Sequence, residues 1–164
     1  MTLRERSADI WADRNLDVIC ITTNGTVLNS GVNIMGGGIA KEAAERVPTL
    51  PKTYGDILKN NDLGVHVLHV YKEQGFADRI LLAFPTKYTL MEPANMNLIE
   101  TSMTELIVFA GIFHMYRIGL PRPGTGIGGL DWENEVKPLL EDMIPMQLRN
   151  RITIYSYPNE SLMI

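Results

Sequence analysis

The 164 residues amount to about one domain, enough to bury a core without a metal or disulfide staple. With 45% hydrophobic and 21% charged residues and a net charge of −4, the composition excludes disorder, collagen-like repeats and coiled coil, and the acidic balance disfavours general binding to a phosphate backbone. Cys20 stands alone and cannot close an internal disulfide. Residues 1–13 are too charged to read as a signal peptide, and no apolar run approaches the roughly 18 residues of a membrane span, so a cytoplasmic setting is expected.

Residues 17–23 (DVICITT) are a short β-branched run, as in a buried central strand. A loop rich in Asn, Gly and Ser follows over 24–33, then three glycines, Gly36, Gly37 and Gly38. Ile39, Ala40, Ala43, Ala44 and Val47 recur at helical spacing, which predicts a helix over 38–47 that stops before Pro48. Pro51 suits the first turn of a second helix ending near Leu58. Residues 65–72 alternate as a strand, and 79–84 (RILLAF) predict another, ended by Pro85. The longest helix is expected over 94–116, where Ile99, Met103, Leu106, Ala110 and Phe113 form one apolar face. A short strand at 118–120 leads to a second glycine cluster. Trp132, Val136, Leu139, Leu140 and Met143 mark a last helix, whose first turn Pro138 should make irregular. Residues 151–155 (RITIY) close the chain as a strand. Strands alternating with helices imply an α/β fold with a mostly parallel sheet covered on both faces, over the single domain 1–164. Ligands bind such sheets beyond the carboxyl ends of the strands, where both glycine clusters fall.

The second cluster, Gly124-Thr125-Gly126-Ile127-Gly128-Gly129, matches the G-x-G-x-x-G dinucleotide fingerprint letter for letter. Its context does not. The fingerprint needs a further βαβ unit with an acidic residue about twenty positions on, and only 35 residues follow Gly129. No Gly-Lys-Ser/Thr follows either cluster, so a Walker A loop is absent. A plain strand–helix turn needs fewer glycines, which favours two phosphate-cradling loops. His66 and His69 are three apart on a predicted strand and face opposite ways, so they cannot share a metal; no metal or other cofactor is expected.

With both loops in place the chain resembles the macrodomains, an ADP-ribose-binding fold. The resemblance is carried by Ala8-Asp9-Ile10, by residues 20–24, by Ile34-Met35-Gly36-Gly37-Gly38-Ile39-Ala40, by Phe84-Pro85-Thr86-Lys87 and by residues 121–132 (PRPGTGIGGLDW). The last two stretches are similar to the branch containing terminal ADP-ribose hydrolases and antitoxin macrodomains that remove ADP-ribose from DNA. That resemblance implies a three-layer α/β/α macrodomain with a mixed, mostly parallel sheet, and ADP-ribose or an ADP-ribosylated protein or nucleic acid as partner. It implies hydrolysis of an ADP-ribosyl linkage; the alternatives are removal of phosphate from ADP-ribose-1″-phosphate and a reader without turnover.

Roles follow position by position. Asp9, with Ile10 beside it, matches the carboxylate that accepts from the adenine amino group; a solvated turn carboxylate is the other reading. Asn24 lies where the family places a polar residue near the distal ribose, though a loop Asn is a comparable explanation. Gly36, Gly37, Gly38, Ile39 and Ala40 would hold the diphosphate and distal ribose from one side, and Gly124, Thr125, Gly126, Ile127, Gly128 and Gly129 from the other. Tyr157 either stacks on the adenine or packs at the sheet edge. Lys87 matches the lysine that attacks, or lies against, C1 of the distal ribose in hydrolases of this branch. A lysine in a partly dehydrated crevice can present a neutral amine, or serve as a fixed cation for a phosphate. Gly128 stands where the human-type terminal hydrolase has its aspartate. The nearest carboxylate, Asp131, is either a displaced catalytic acid or a helix N-cap.

Overall fold

The computed structural model describes residues 2–157. Six strands, β1 (Arg4–Ser7), β2 (Val18–Asn24), β3 (Val67–Tyr71), β4 (Arg79–Lys87), β5 (Ile118–Pro121) and β6 (Ile152–Ser156), form one sheet in the order β1-β6-β5-β2-β4-β3. Every neighbouring pair is parallel except β3–β4, so the sheet is mixed and mostly parallel as expected. Helices α1 (Gly38–Arg46) and α2 (Leu50–Asn60) cover one face; α3 (Met96–Ile112) and α4 (Lys137–Met143) cover the other.

The β2 sequence explains the layering. Successive side chains of a strand point to opposite faces. Val18 and Cys20 therefore join the α3/α4 core, and Ile19 and Ile21 the α1/α2 core, all four fully buried. Cys20 is sealed in this layer, and burial pushes its thiol far above the ordinary range. Among the described residues, no helix is long and apolar enough to cross a membrane, and no group of His, Cys, Asp and Glu could hold a metal.

Three elements depart most from expectation: two in their bounds, and one, β1, in being present at all. β4 does not stop at Pro85 but runs to Lys87. Beyond Leu82 it has lost β3 as a neighbour, and the Pro85 carbonyl accepts from Ser102 Oγ of α3 at 2.7 Å, so the missing N–H falls on the unpaired side. α3 is shorter than 94–116. Asn95 caps its start by accepting from Leu98 N at 3.1 Å, and the Arg151 guanidinium closes its end on the carbonyls of Ala110 and Phe113. Strand β1, with sequence RERS and every residue exposed, has no hydrophobic period to read. It exists through backbone pairing with β6. The irregular turn ahead of α4 is present as expected: residues Trp132–Val136 form a wide π turn, which places Pro138 in the first turn of α4.

The connection into β2 is tied down by Asp13. Burial alone would raise its carboxyl, but hydrogen bonds from the Tyr155 hydroxyl and the Asn15 N–H, with the Arg6 guanidinium at 2.9 Å, outweigh burial and hold it below the usual carboxylate value. A carboxyl lowered in the folded state contributes stability above its unfolded pKa of about 3.9, and that contribution is lost as pH falls through the folded value. Tyr155→Phe is therefore expected to cost about 1–3 kcal/mol at pH 7. The deficit should fade near pH 2, which urea melts at the two pH values would read.

Candidate ADP-ribose crevice

Both glycine clusters open onto one cavity of about 770 Å³ at the carboxyl ends of β2, β4 and β5. That size and position suit a small-molecule ligand. The first wall is the start of α1. Gly37 caps the helix without a side chain, and Gly38 enters it at φ +54°, a conformation that favours glycine. The N–H groups of Gly38, Ile39 and Ala40 precede the first intrahelical bond, from Lys41 N to the Gly37 carbonyl, so the positive end of the helix faces the cavity.

The second wall is the loop after β5. It is pinned at its base by Leu130 N–H donating to the Gly124 carbonyl at 2.9 Å, Gly129 N–H to the Gly126 carbonyl at 3.1 Å, and Ala94 N–H to the Gly128 carbonyl at 3.1 Å. The N–H groups from Thr125 to Gly128 make no hydrogen bond among the described residues. Their glycines differ in what they require. Gly124 and Gly129 have positive φ, and a Cβ on Gly128 would lie 2.6 Å from the Gly124 carbonyl oxygen, so the fold itself demands glycine at all three. Gly126 has ordinary φ and nothing within 4 Å of a Cβ, and Gly36 meets only Ile34 at 3.8 Å. The protein's own packing gives no reason for glycine at those two positions. Ile127 reaches across the mouth, its Cδ1 lying 2.6 Å from where a Gly37 Cβ would stand.

Among the described residues, no carboxylate lines the cavity. The titratable groups that do are Lys87, Arg122, Tyr155 and Tyr157. Arg122 pairs with Glu5 at 3.7 Å and lies over the Trp132 ring, and the Tyr155 hydroxyl is turned away onto Asp13. Lys87, half-buried at the end of β4, makes no hydrogen bond or ion pair among the described residues. Among the described residues, an acidic chain thus lines its cavity with neutral and basic groups.

The remaining predicted positions are distributed around it. Asn24 lines the cavity, but its amide is used internally: Nδ2 donates to the Ile34 carbonyl at 2.9 Å and Oδ1 accepts from Thr26 N at 2.9 Å. Asp9, Ile10 and Gly129 lie outside the lining, and the Gly129 N–H is spent on the Gly126 carbonyl. Asp9 caps the short turn Ile10–Ala12 through Oδ1 to Trp11 N at 3.0 Å, with its carboxylate exposed, and Ile10 is buried beneath. Tyr157 lines the cavity, and its hydroxyl donates to Glu42 of α1 at 2.9 Å; Trp11 Nε1 reaches the same carboxylate at 3.4 Å. Glu42 thereby draws the Asp9–Trp11 turn and the segment after β6 to one end of the crevice, a role no sequence pattern announced. Asp131 lies outside the lining and caps the π turn, accepting from Asn134 Nδ2 at 2.7 Å and Asn134 N at 3.1 Å, bonds that hold its carboxyl below the usual value. Thr22, Thr23, Ile34, Thr86, Leu90, Pro121, Arg122 and Tyr155 line the cavity without having been singled out in the sequence; all but Leu90 and Tyr155 sit inside the recognised stretches.

No protein-family model matches the chain. A curated DNA ADP-ribosyl glycohydrolase of Mycobacterium tuberculosis is 29% identical over 105 residues, 63% of this chain and 30% of that protein, so the chain spans under a third of the length of that relative. Among solved structures, the macrodomain of Mycobacterium tuberculosis DarG superposes with a TM-score of 0.72 at 25% identity, covering 93% of this chain and 95% of that one. Thermosipho africanus DarTG in complex with ADP-ribose superposes at 0.68 with 21% identity, covering 86% of this chain and 38% of that one. The order of strands, the two glycine walls and these superpositions agree: the chain has the macrodomain fold, and among macrodomains it resembles those of DarG.

Proposed function

We propose that the crevice binds ADP-ribose and that the chain hydrolyses the bond joining ADP-ribose to a nucleic acid. One observation carries the first part: two walls of backbone N–H groups, unbonded among the described residues, face a single cavity that no described carboxylate lines. Such N–H nests with a helix N-terminus hold a diphosphate without needing net positive charge. The diphosphate lies between Gly36–Ala40 and Gly124–Gly129. The adenosine end points toward Tyr157 and the turn bearing Asp9 and Ile10, and the distal ribose toward Lys87. In the reaction the bond from C1 of the distal ribose to its carrier breaks; water supplies a hydroxyl to C1 and a proton to the carrier. Lys87 sits against C1, and Asp131, already engaged as a cap, is not assigned the acid role. The DNA-directed activity named for the curated relatives supports a nucleic-acid carrier over a protein.

A calorimetric titration with ADP-ribose tests the binding, and Gly126→Val gives it specificity. Because a side chain at 126 meets open space within the protein, the melting temperature is expected to stay within about 2 °C of wild type. Affinity for ADP-ribose is expected to fall at least about tenfold, the equivalent of about 1.4 kcal/mol. Undiminished affinity in the variant, or no binding by the wild-type chain, sinks the reading.

A further inference from the structure

Beside Lys87 the mouth of the crevice carries apolar side chains for which the fold has no use. Leu90 lines the cavity yet is 38% exposed, and around it Tyr88 is 48%, Met91 90% and Leu28 46% exposed. They stand on two loops, 24–33 and 88–95, that lock onto each other. Leu90 N–H donates to Thr26 Oγ1 at 2.8 Å, a Cβ on Gly25 would lie 2.5 Å from the Tyr88 carbonyl oxygen, and Asn33 Nδ2 donates to the carbonyls of Asn24 and Thr26, both at 2.9 Å. Buried Asn33 fixes the base of the long loop from inside. The exposed apolar groups therefore stand on a fixed pair of loops, a shelf that meets the cavity at Leu90.

The shelf has a cationic border. The tight turn at Gly31, where Gly31 N–H donates to the Leu28 carbonyl at 2.8 Å, packs on α2. There the Lys59 and Lys52 ammonium groups come within 2.9 and 3.2 Å of the point a Gly31 Cβ would occupy. Lys52 is paired with Asp56 at 2.6 Å; Lys59 acts on the same carboxylate through its charge, but makes no hydrogen bond or ion pair among the described residues. The one carboxylate on the shelf loop, Glu92, accepts from Thr89 Oγ1 at 2.9 Å.

We propose that this shelf is the subsite for the carrier: the base bearing the ADP-ribose lies on Tyr88, Leu90 and Met91, and a neighbouring phosphate of the same single strand meets Lys59. An unstacked base presents an apolar π face with a negative charge one bond set away, which is the pairing the shelf offers. A modified Ser, Asp or Glu side chain is small and polar and would leave the apolar surface bare. A duplex cannot present a base this way without extruding it. Local contact by one lysine also fits a chain whose net charge of −4 disfavours general binding to backbone phosphates. This inference rests on the hydrolase reading of the crevice.

The test uses a single-stranded oligonucleotide carrying one ADP-ribosylated base, the same strand unmodified, an ADP-ribosylated protein and free ADP-ribose. Tyr88→Ala is expected to raise KM for the modified strand about 5- to 150-fold, the usual contribution of one stacked base. It should weaken the unmodified strand as well, and leave the affinity for ADP-ribose unchanged. Lys59→Ala is expected to reduce the slope of log K against log salt for the strand by about 0.7, one phosphate's share. An unchanged KM in Tyr88→Ala, or an equal loss on the modified protein, overturns the shelf. Failure of the crevice reading shows separately, as wild-type protein that takes up no ADP-ribose, and the unmodified strand still reads the shelf in that event.

Discussion

Lys87→Ala is expected to lower turnover of an ADP-ribosylated strand by about 10²- to 10³-fold, within the usual loss when a positioned side chain that takes part in the bond change is removed. The reason is the poverty of the cavity. Among the described residues it offers no carboxylate to act as acid or base, Arg122 is held by Glu5 and Trp132, and the hydroxyls of Tyr155 and Tyr157 are committed to Asp13 and Glu42. Lys87 is the group left with nothing to do. Affinity separates two roles. If the ammonium sat on the diphosphate, its removal would weaken ADP-ribose about 10- to 150-fold, the worth of a hydrogen bond to a charged group. With Lys87 at C1 of the distal ribose, the expected change in Kd is less than tenfold and the loss falls on kcat.

Lys87→Arg sharpens the same result. Arginine keeps the charge but has no lone pair to offer at any accessible pH. Turnover is expected to stay near the alanine level, because an amine is needed at C1; recovery to within tenfold of wild type would make Lys87 a fixed cation instead. Single-turnover rates on the modified strand measure both variants, and full activity in Lys87→Ala would remove the residue from the chemistry.

The parts of this molecule that were legible in the sequence are those where the backbone or the core dictates residue type at short range. Gly38, Gly124 and Gly129 adopt positive φ and had to be glycine; Val18 to Ile21 alternate between two cores and had to be apolar. Pro138 announced the irregular turn before α4 because its ring forbids an ordinary one. Less legible were features made by partners far away in the chain. β1 has no pattern of its own and is paired with residues about 150 positions on. Pro85 reads as a strand end until the absence of β3 beside it is known. Glu42 looks like any exposed helix carboxylate, yet it receives Trp11 from 31 positions before it and Tyr157 from 115 after. Asp131 could be either a cap or an acid on spacing alone, and only the bonds from Asn134 show where its oxygens are spent.

Arg79 is the extreme of that class, and its replacement is expected to be the most damaging to the fold. At the start of β4, which reads as an ordinary charged strand end, it is 1% exposed. Its guanidinium donates to the Trp11 carbonyl at 2.6 Å and to Glu73 at 3.0 Å, and it lies between the rings of Phe76, 4.3 Å away, and Tyr71, 5.5 Å away. Nε has no partner, so the group is already incompletely satisfied and its remaining contacts carry the cost of burial. Arg79→Ala removes the charge, leaves the Trp11 carbonyl without this donor and Glu73 with the Tyr71 hydroxyl at 3.4 Å, and opens a cavity beside two rings. The expected loss is about 2–5 kcal/mol, set mainly by the cavity a large buried side chain leaves, because Glu73 is a third exposed and can be rehydrated. Arg79→Met keeps most of the volume and should recover part of it, since an apolar replacement of a buried charge is often close to neutral. The two variants also differ at the crevice. Trp11 is the residue to which Asp9 is capped and through which the turn reaches Glu42. Releasing its carbonyl should loosen the adenosine end and weaken ADP-ribose in both variants, whereas stability separates them. Urea melts paired with ADP-ribose titrations measure the two effects; an Arg79→Ala protein as stable as wild type would show that neither the bonds nor the volume of the arginine supports the fold.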